Sequence, residues 1–233
     1  MKVVVPRERA EGETRVAATP RTVKRMVRGG LAVHVESSAG TASGISDEEF
    51  VEAGASIESD PATLYAGAEI VLGVRAPDPE MLVHLPRGAF LVSTLDPLIE
   101  HDLVGRLAEA GLTTFSLDLV PRIARAQSMD VLSSMSTLAG YQAVLLSAMH
   151  LPGIMAYLTT AAGTLKPAKV LVLGAGVAGL QAIGQARDFL REAMKLALEG
   201  DYPADYKKLI RRYYELVYED AVGGGEVDAE EMP

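Results

Sequence analysis

The sequence contains no cysteine and no tryptophan, only four histidines and four phenylalanines, and fewer basic than acidic residues. Without cysteine, the chain cannot form disulfides, use a catalytic thiol or bind zinc through thiolates. The histidines show no H-x-x-x-H spacing, which argues against a histidine metal site. The formal net charge of −9, with no basic stripe, argues against a nucleic-acid partner.

Charged residues are also missing from one long stretch. Residues 131–165 contain no Asp, Glu, Lys or Arg, and the apolar part 138–158 is about as long as a bilayer is thick. Gln142, His150 and the Pro152-Gly153 pair interrupt that part, so we predict buried helices and no direct membrane span. The N-terminus has no apolar stretch long enough for a signal peptide, and we expect a cytoplasmic protein.

The composition that is present is that of a globular protein, with 48% hydrophobic and 23% charged residues among 233. Strand-like and helix-like pieces alternate in the first half of the chain. Thr19-Pro20 and the Ser46 capping box are typical helix starts. We predict strands at 2–5, 31–36, 69–74, 89–95 and 113–117. The pattern indicates a parallel α/β domain of Rossmann-like or flavodoxin-like type at residues 1–125.

The remainder of the chain changes in composition several times. Residues 121–165 are apolar and predicted to be helical, with 126–165 forming helices that link the first domain to the next unit. We then predict a truncated dinucleotide-binding βα unit at 166–186, amphipathic helices at 187–220 and a flexible acidic tail at 221–233. The fold class is therefore α/β, with an incomplete second Rossmann unit and a helical C-terminus.

A G-x-G-x-x-G motif follows the apolar run Lys-Val-Leu-Val-Leu at 169–173, which we predict to be a buried parallel strand. Its members are Gly174, Ala175, Gly176, Val177, Ala178 and Gly179. In a dinucleotide site the first glycine permits a tight turn, the second lets the backbone approach the pyrophosphate, and the third lets helix and strand pack closely. A helix should begin near Val177, its N–H groups facing the phosphates. The alternative is a tight βα turn that binds no nucleotide.

The acidic residue that should bind the ribose hydroxyls about 20 residues later is not in place. Glu199 lies at nearly the right distance, but residues 191–199 have a helical composition and period rather than those of a strand. We therefore predict that the Rossmann unit stops after one β–loop–α, and that its strand pairs with another element.

Four stretches carry a family resemblance. They read Asp-Leu-Val-Pro-Arg-Ile-Ala-Arg-Ala-Gln-Ser-Met-Asp-Val-Leu-Ser-Ser at 118–134, Ala-Gly-Tyr at 139–141, Thr-Ala-Ala-Gly-Thr at 160–164, and Val-Leu-Val-Leu-Gly-Ala-Gly-Val-Ala-Gly-Leu-Gln-Ala-Ile at 170–183. Together they closely resemble the NAD(H)-binding alpha subunit of proton-translocating NAD(P) transhydrogenase. The opening Pro6-Arg7-Glu8 and Arg15-Val16-Ala17 resemble the same family and its alanine dehydrogenase relatives. The resemblance covers about residues 1–186, and residues 187–233 depart from it.

The resemblance implies an oxidoreductase and translocase component. It implies a homodimer that binds NAD(H) between two Rossmann-like domains and passes hydride to NADP(H) on a partner subunit. A membrane subunit couples this transfer to proton movement, so the chain would be cytoplasmic and peripheral to the inner membrane. Carried over by position, the residues that handle the nicotinamide are Arg122, Gln127, Asp130 and Ser133. Taken without the family, Arg122 and Asp130 read as a helix-face ion pair, and the other two as polar helix residues.

Two other functions stay open. A truncated or rearranged family member could be a non-catalytic scaffold, in which the helices after residue 186 bind a partner or dimerise. Five tyrosines in that region fit either an interface or a half-buried helix: Tyr202, Tyr206, Tyr213, Tyr214 and Tyr218. An alanine dehydrogenase-like enzyme ranks third, because the family's substrate lysine is replaced by Arg75 and its catalytic histidine has no counterpart in 91–95.

Overall fold

The computed structural model describes residues 1–199, and it describes their side chains except at 159–160 and 189–199. The chain forms two compact units that divide after Val131, six residues beyond the predicted end of the first domain. The first unit alternates strands and helices from β1 (Lys2–Val5) and α1 (Pro20–Arg28) to β2 (Ala32–Glu36), α2 (Asp47–Glu52), β3 (Ser56–Glu58), α3 (Pro61–Tyr65), β4 (Ile70–Leu72), α4 (Pro79–His84), β5 (Phe90–Ser93), α5 (His101–Glu109) and β6 (Thr113–Ser116).

The six strands form one parallel sheet with the order β3-β2-β1-β4-β5-β6. This is the doubly wound order of the Rossmann fold, and it confirms the predicted fold class. The sequence prediction missed β3, α3 and α4. Each of these elements has only three to six residues, which is too short to show a period.

Alternating side chains of β1 divide the core of the first unit into two layers. Val3 and Val5 pack on one side of the sheet with Val23 of α1 and Phe50 of α2, whereas Val4 packs on the other side with the helices α3 and α5. All three valines of β1 are at most 1% exposed, because β2 and β4 flank the strand and helices cover both faces.

Local signals place the first two helices as predicted. Thr19 caps α1, with Pro20 as its first residue, and Ser46 and Glu49 form the capping box of α2. A side-chain oxygen at these positions accepts hydrogen bonds from N–H groups that the first helical turn leaves unpaired.

The second unit contains α6 (Val131–His150), the antiparallel hairpin of β7 (Leu158–Thr160) and β8 (Gly163–Leu165), and α7 (Val177–Glu199). The hairpin corrects the prediction that the whole of 121–165 is helical: α6 ends at His150, just before Pro152. Within the described part of the chain, α6 is the one helix long and apolar enough to cross a membrane, a test that the core helix of a soluble protein also passes. The absence of a membrane span stays a prediction.

The predicted buried strand at 169–173 is not observed. These residues belong to no strand, and Val170, Leu171 and Leu173 are 47%, 82% and 88% exposed. The helix after the glycine motif does begin at Val177, and it runs without a break through 187–199. The second amphipathic helix predicted after residue 203, its tyrosines and the acidic tail at 221–233 lie outside the described residues.

Candidate functional site

The four residues assigned to the nicotinamide are divided between the two units. Arg122 and Gln127 are exposed and lie after β6, Gln127 within a 3-10 turn at Ala124–Met129. Asp130 follows that turn, is buried at 8% exposure, and its backbone N–H donates to the Gln127 carbonyl at 3.3 Å. Ser133 is half-buried in the first turn of α6. The structure therefore groups Gln127 with Asp130, and their roles stay predictions.

Asp118 anchors the loop that leads to Arg122. Its carboxylate accepts hydrogen bonds from the Ser116 hydroxyl at 2.6 Å and from the backbone N–H groups of Leu95 and Asp96 at 2.9 and 3.0 Å. Partial burial opposes ionisation of Asp118, but these hydrogen bonds outweigh it and lower the pKa of the carboxyl group. The carboxyl ends of β5 and β6 are thereby tied together directly before the loop that carries Arg122, Gln127 and Asp130.

The glycine motif has the geometry that each of its positions requires. Gly174 has a φ of +109°, which a residue with a side chain rarely adopts. A Cβ at Gly179 would overlap the Gly174 carbonyl oxygen, so only glycine allows this close return of the helix to the loop. A Cβ at Gly176 would meet no heavy atom within 4 Å, which leaves the backbone open to an approaching group.

The start of α7 is also held in place by α6. A Cβ at Gly140 of α6 would overlap the Ala178 carbonyl oxygen, so the two helices touch at a point where only glycine fits. The Leu180 N–H donates to the Gly176 carbonyl at 2.9 Å and closes the first turn of α7. The loop is thus a rigid turn in front of a helix N-terminus, a geometry suited to a pyrophosphate.

The described residues provide a site for only part of a dinucleotide. The phosphate-binding loop is formed, but Glu199 is the last residue of α7 and does not end a strand. No second strand follows the loop up to residue 199, so the acidic partner of the ribose hydroxyls is not in place within the part described.

The first unit has a crevice of its own, between the carboxyl ends of β1 and β4 where the strand order reverses. Parallel sheets bind their ligands at such switch points. A cavity of about 170 Å³ lies here, and a larger one of about 430 Å³ lies beside it, between the loops that follow β1 and β2. Arg7, Glu8 and Arg9 line both cavities. No histidine lines either cavity among the described residues, so the imidazole that amino-acid oxidation needs is absent from this crevice.

The crevice of the first unit cannot act as a second dinucleotide site of the usual kind. Glu36 ends β2, the position of the ribose-binding acid in this topology, but its carboxylate accepts from the Arg9 guanidinium at 2.6 Å and from the Arg7 N–H at 2.8 Å. The loop after β1 also has no glycine before Gly12. Arg9 therefore already pairs with the Glu36 carboxylate that a ribose would need. The glycine loop of the second unit is the candidate nucleotide site.

Two further carboxylates shape this crevice. Glu8 accepts hydrogen bonds from the Val74 and Arg75 N–H groups at 2.6 and 3.2 Å, and burial raises the pKa of its carboxyl group. Glu13 forms a bidentate pair with Arg15, with oxygen–nitrogen distances of 2.7 and 2.6 Å, which lowers the pKa of Glu13 to about 2. The sequence analysis named Pro6-Arg7-Glu8 and Arg15 only as marks of resemblance. The contacts of Glu8 were missed because its partners are 66 and 67 residues away. Glu13 and Arg15 are only two residues apart, but the sequence analysis did not consider them as a pair.

Comparison with known proteins agrees with this architecture. The sequence model described as "Alanine dehydrogenase/PNT, N-terminal domain" matches residues 4–139, and that of the C-terminal domain matches residues 143–205. An NAD(P) transhydrogenase alpha-subunit chain of Rickettsia prowazekii is 41% identical over 191 residues, which cover 80% of this chain and 50% of the relative. The alpha subunit of Haemophilus influenzae is 37% identical over 232 residues, which cover 100% of this chain and 45% of the relative.

Two of these matches correct one expectation from the sequence. The resemblance does not stop near residue 186, because the C-terminal domain match continues to 205 and the Haemophilus alignment spans the chain. The chain spans about half the length of the curated relatives it matches.

Solved structures show the same relationship. A transhydrogenase from Sinorhizobium meliloti matches with a TM-score of 0.79 and 42% identity, covering 82% of this chain and 54% of that one. An L-alanine dehydrogenase matches with a TM-score of 0.72 and 28% identity, covering 86% and 59%.

Proposed function

Since the chain belongs to the alanine dehydrogenase/PNT family, we propose that it is the NAD(H)-binding component of an NAD(P) transhydrogenase. The observation that carries the proposal is the glycine loop at 174–179, whose backbone is open at Gly176 and rigid at Gly174 and Gly179. Relatives named as transhydrogenase alpha subunits, at about 40% identity, support the choice within the family.

The nicotinamide supplies the hydride chemistry when NAD(H) is bound, so the chain's residues have to bind and orient rather than exchange protons. Backbone N–H groups at the start of α7 bind the pyrophosphate. The amide of Gln127 would contact the transferring ring of bound NAD(H), and Arg122, Asp130 and Ser133 would hydrogen-bond its carboxamide and ribose. The exposed positions of Arg122 and Gln127 leave both side chains accessible to a ligand.

Partner subunits complete the reaction in this proposal. One holds NADP(H), and a membrane subunit couples hydride transfer to proton translocation. The chain acts as a homodimer on the cytoplasmic side of the inner membrane. The name of the relatives, which are themselves subunits, supports the need for partners.

Nucleotide binding is tested by titrating the purified chain with NADH and following reduced-nicotinamide fluorescence, with NADPH as the control ligand. We expect selective, saturable NADH binding that the substitution Gly176→Val abolishes, because its side chain would fill the space of the pyrophosphate. The matched control is Gly153→Val, which also enters open space but lies outside the loop. If Gly176→Val retains NADH affinity, the loop is structural.

The role of Gln127 is tested in a hydride-transfer assay with the NADP-binding and membrane subunits of a relative. Gln127→Ala should slow transfer by about ten- to a hundredfold through misorientation of the rings, with little change in NADH binding. Ser128→Ala, an exposed neighbour, is the control. Equal rates for Gln127→Ala and the parent chain would remove Gln127 from the mechanism.

A non-catalytic interaction protein is the second candidate, and the exposed apolar segment at 169–173 favours it. If the chain binds no NADH at millimolar concentration, this candidate takes precedence. An amino-acid dehydrogenase is third, because neither cavity of the first unit offers an imidazole.

A further inference from the structure

Asp118 connects the turn after β5 to the end of β6. Its carboxylate accepts hydrogen bonds from the Ser116 hydroxyl and from the backbone N–H groups of Leu95 and Asp96. Asp96 has a φ of +46°, a conformation that is uncommon for a residue other than glycine. A residue stays in such a conformation only where its surroundings hold it there, and the bonds from both N–H groups to Asp118 do so.

The turn after β5 is also held by the neighbouring strand ends. The Thr94 hydroxyl and the Thr94 N–H both donate to the Val74 carbonyl, just after β4. The Val74 N–H in turn donates to Glu8, in the loop after β1, at 2.6 Å. Hydrogen bonds therefore connect the carboxyl ends of β1, β4, β5 and β6 in that order, and Asp118 joins β6 to this fixed support.

The loop that follows Asp118 is stabilised by hydrogen bonds of its own. Three backbone N–H groups donate to carbonyls within residues 117–126, at 3.4, 2.9 and 3.0 Å: those of Val120, Ile123 and Ala126. Arg122 and Gln127 lie in and directly after this segment, four and nine residues beyond Asp118. Because the segment keeps its shape, the direction in which it carries these two residues depends on how it is held where it leaves the sheet.

We propose that Asp118 is a positioning residue for hydride transfer, which sets the direction in which the loop presents Arg122 and Gln127 to the nicotinamide. This inference rests on the proposed function for its purpose and on the hydrogen bonds of Asp118 for its site. Asp118 acts through the loop and does not touch the ligand. Hydride transfer requires two rings at a defined distance and orientation, so a small rotation of the loop lowers the rate. The glycine loop of the second unit binds the pyrophosphate in the proposed function, so NADH affinity should change little.

The chain offers a matched control for Asp118. The Asp47 carboxylate accepts hydrogen bonds from the Ser37 hydroxyl and the Ser38 N–H, each at 2.8 Å, and Ser38 has a φ of +64°. Asp47 therefore holds a turn of the same kind after β2, but no residue assigned to the nicotinamide follows that turn. A substitution of Asn for Asp removes the same interactions at both positions, so a difference in activity reports the position and not the chemistry.

The experiment measures hydride transfer with the NADP-binding and membrane subunits of a relative, and NADH affinity by nicotinamide fluorescence. Asp118→Asn should slow transfer by about tenfold and change the NADH dissociation constant by less than about threefold. Asp118→Glu keeps the carboxylate and should restore most of the rate, and Asp47→Asn should leave the rate unchanged. In a chain that carries Gln127→Ala, Asp118→Asn should slow transfer by less than about twofold further, because Asp118 acts through that residue.

Three results would overturn the positioning role: an unchanged rate in Asp118→Asn, an equal loss in Asp47→Asn, or full additivity with Gln127→Ala. Amide hydrogen exchange of the chain alone separates this inference from the proposed function. Asp118→Asn should speed exchange at the Ala126 N–H by about tenfold, whereas Asp47→Asn should not. A parent chain that neither binds NADH nor transfers hydride would contradict the proposed function, and faster exchange in Asp118→Asn would still show that Asp118 holds the loop. Unchanged exchange would overturn it.

Discussion

Two stretches of nearly the same sequence have opposite surroundings in this molecule. The valines of β1 are at most 1% exposed, whereas Leu171 and Leu173 in the segment 169–173 are more than four-fifths exposed. Both stretches begin with a lysine and precede a loop that leads to a helix. The difference is that β2 and β4 flank β1, and no strand flanks 169–173 in the part of the chain described.

The comparison shows that an apolar, β-branched run can form a strand but does not do so by itself. A buried strand also needs neighbouring strands to hydrogen-bond with and helices to cover its faces. In the first unit these neighbours come from within the next seventy residues, because β4 ends at Leu72. In the second unit the glycine loop and α7 form although no described strand flanks residues 169–173.

The largest expected effect comes from placing a charge in each of the two stretches. Val4→Asp puts an unpaired carboxylate between sheet and helices, and it should lower the free energy of unfolding by more than about 4 kcal/mol. Leu171→Asp, at an 82% exposed position, should change it by less than about 0.5 kcal/mol. Urea unfolding followed by circular dichroism measures both. Similar losses in the two variants would show that 169–173 is buried in solution.

A second prediction concerns the loop that follows each stretch. In the first unit Arg9→Ala removes the guanidinium from the nearly buried Glu36, and should cost about 2 kcal/mol. Arg75→Ala is the matched control, because its guanidinium is 59% exposed and 4.0 Å from the nearest carboxylate oxygen. In the second unit Gly176→Ala, which enters open space, should be neutral. The difference between the two arginine variants in urea unfolding decides whether Glu36 depends on Arg9.

The third prediction concerns pH. Because Arg15 lowers the pKa of Glu13 from 4.5 to about 2, the pair stabilises the fold above pH 4.5, and this stability is lost as the pH falls from about 4.5 towards 2. Glu13→Gln should therefore cost about 1–2 kcal/mol at pH 7, allowing for solvent around Arg15, and almost nothing near pH 2. Residues 169–183 contain no acid, so the corresponding loop of the second unit should contribute no such dependence. A cost independent of pH would contradict the assignment.

The smallest effect is expected at the start of α1. Thr19→Ala removes the hydroxyl that accepts from the Thr22 N–H, and should lower stability by about 1 kcal/mol. At the equivalent place in the second unit, α7 follows Gly176, which has no side chain to lose. Thermal unfolding of Thr19→Ala beside Arg21→Ala, an exposed position in the same turn, separates the cap from a general effect. Equal melting temperatures would show that α1 does not need the cap.

Local signals were sufficient to predict most of the first unit. The caps at Thr19 and Ser46, and the strands that became β1, β2, β4, β5 and β6, are visible because each depends on adjacent residues. The edge strand β3 is too short to show alternation, and the burial of 169–173 was wrongly predicted because it depends on neighbours that are far along the chain. The glycine geometry could be predicted from its spacing, whereas the pairs of Glu8, Glu36 and Asp118 could not, since their partners meet only after folding.

The pairing of Arg9 with Glu36 has a consequence for the number of dinucleotides that one chain binds. Among the described residues, the first unit has the sheet topology that binds dinucleotides, but there an internal cation neutralises the acid that would hold a ribose. The second unit has the glycine loop without such a sheet. A titration of this chain with any dinucleotide should therefore saturate at one equivalent per polypeptide rather than two. The sheet topology of the first unit therefore adds no second site, because Arg9 already pairs with the acid that such a site would use.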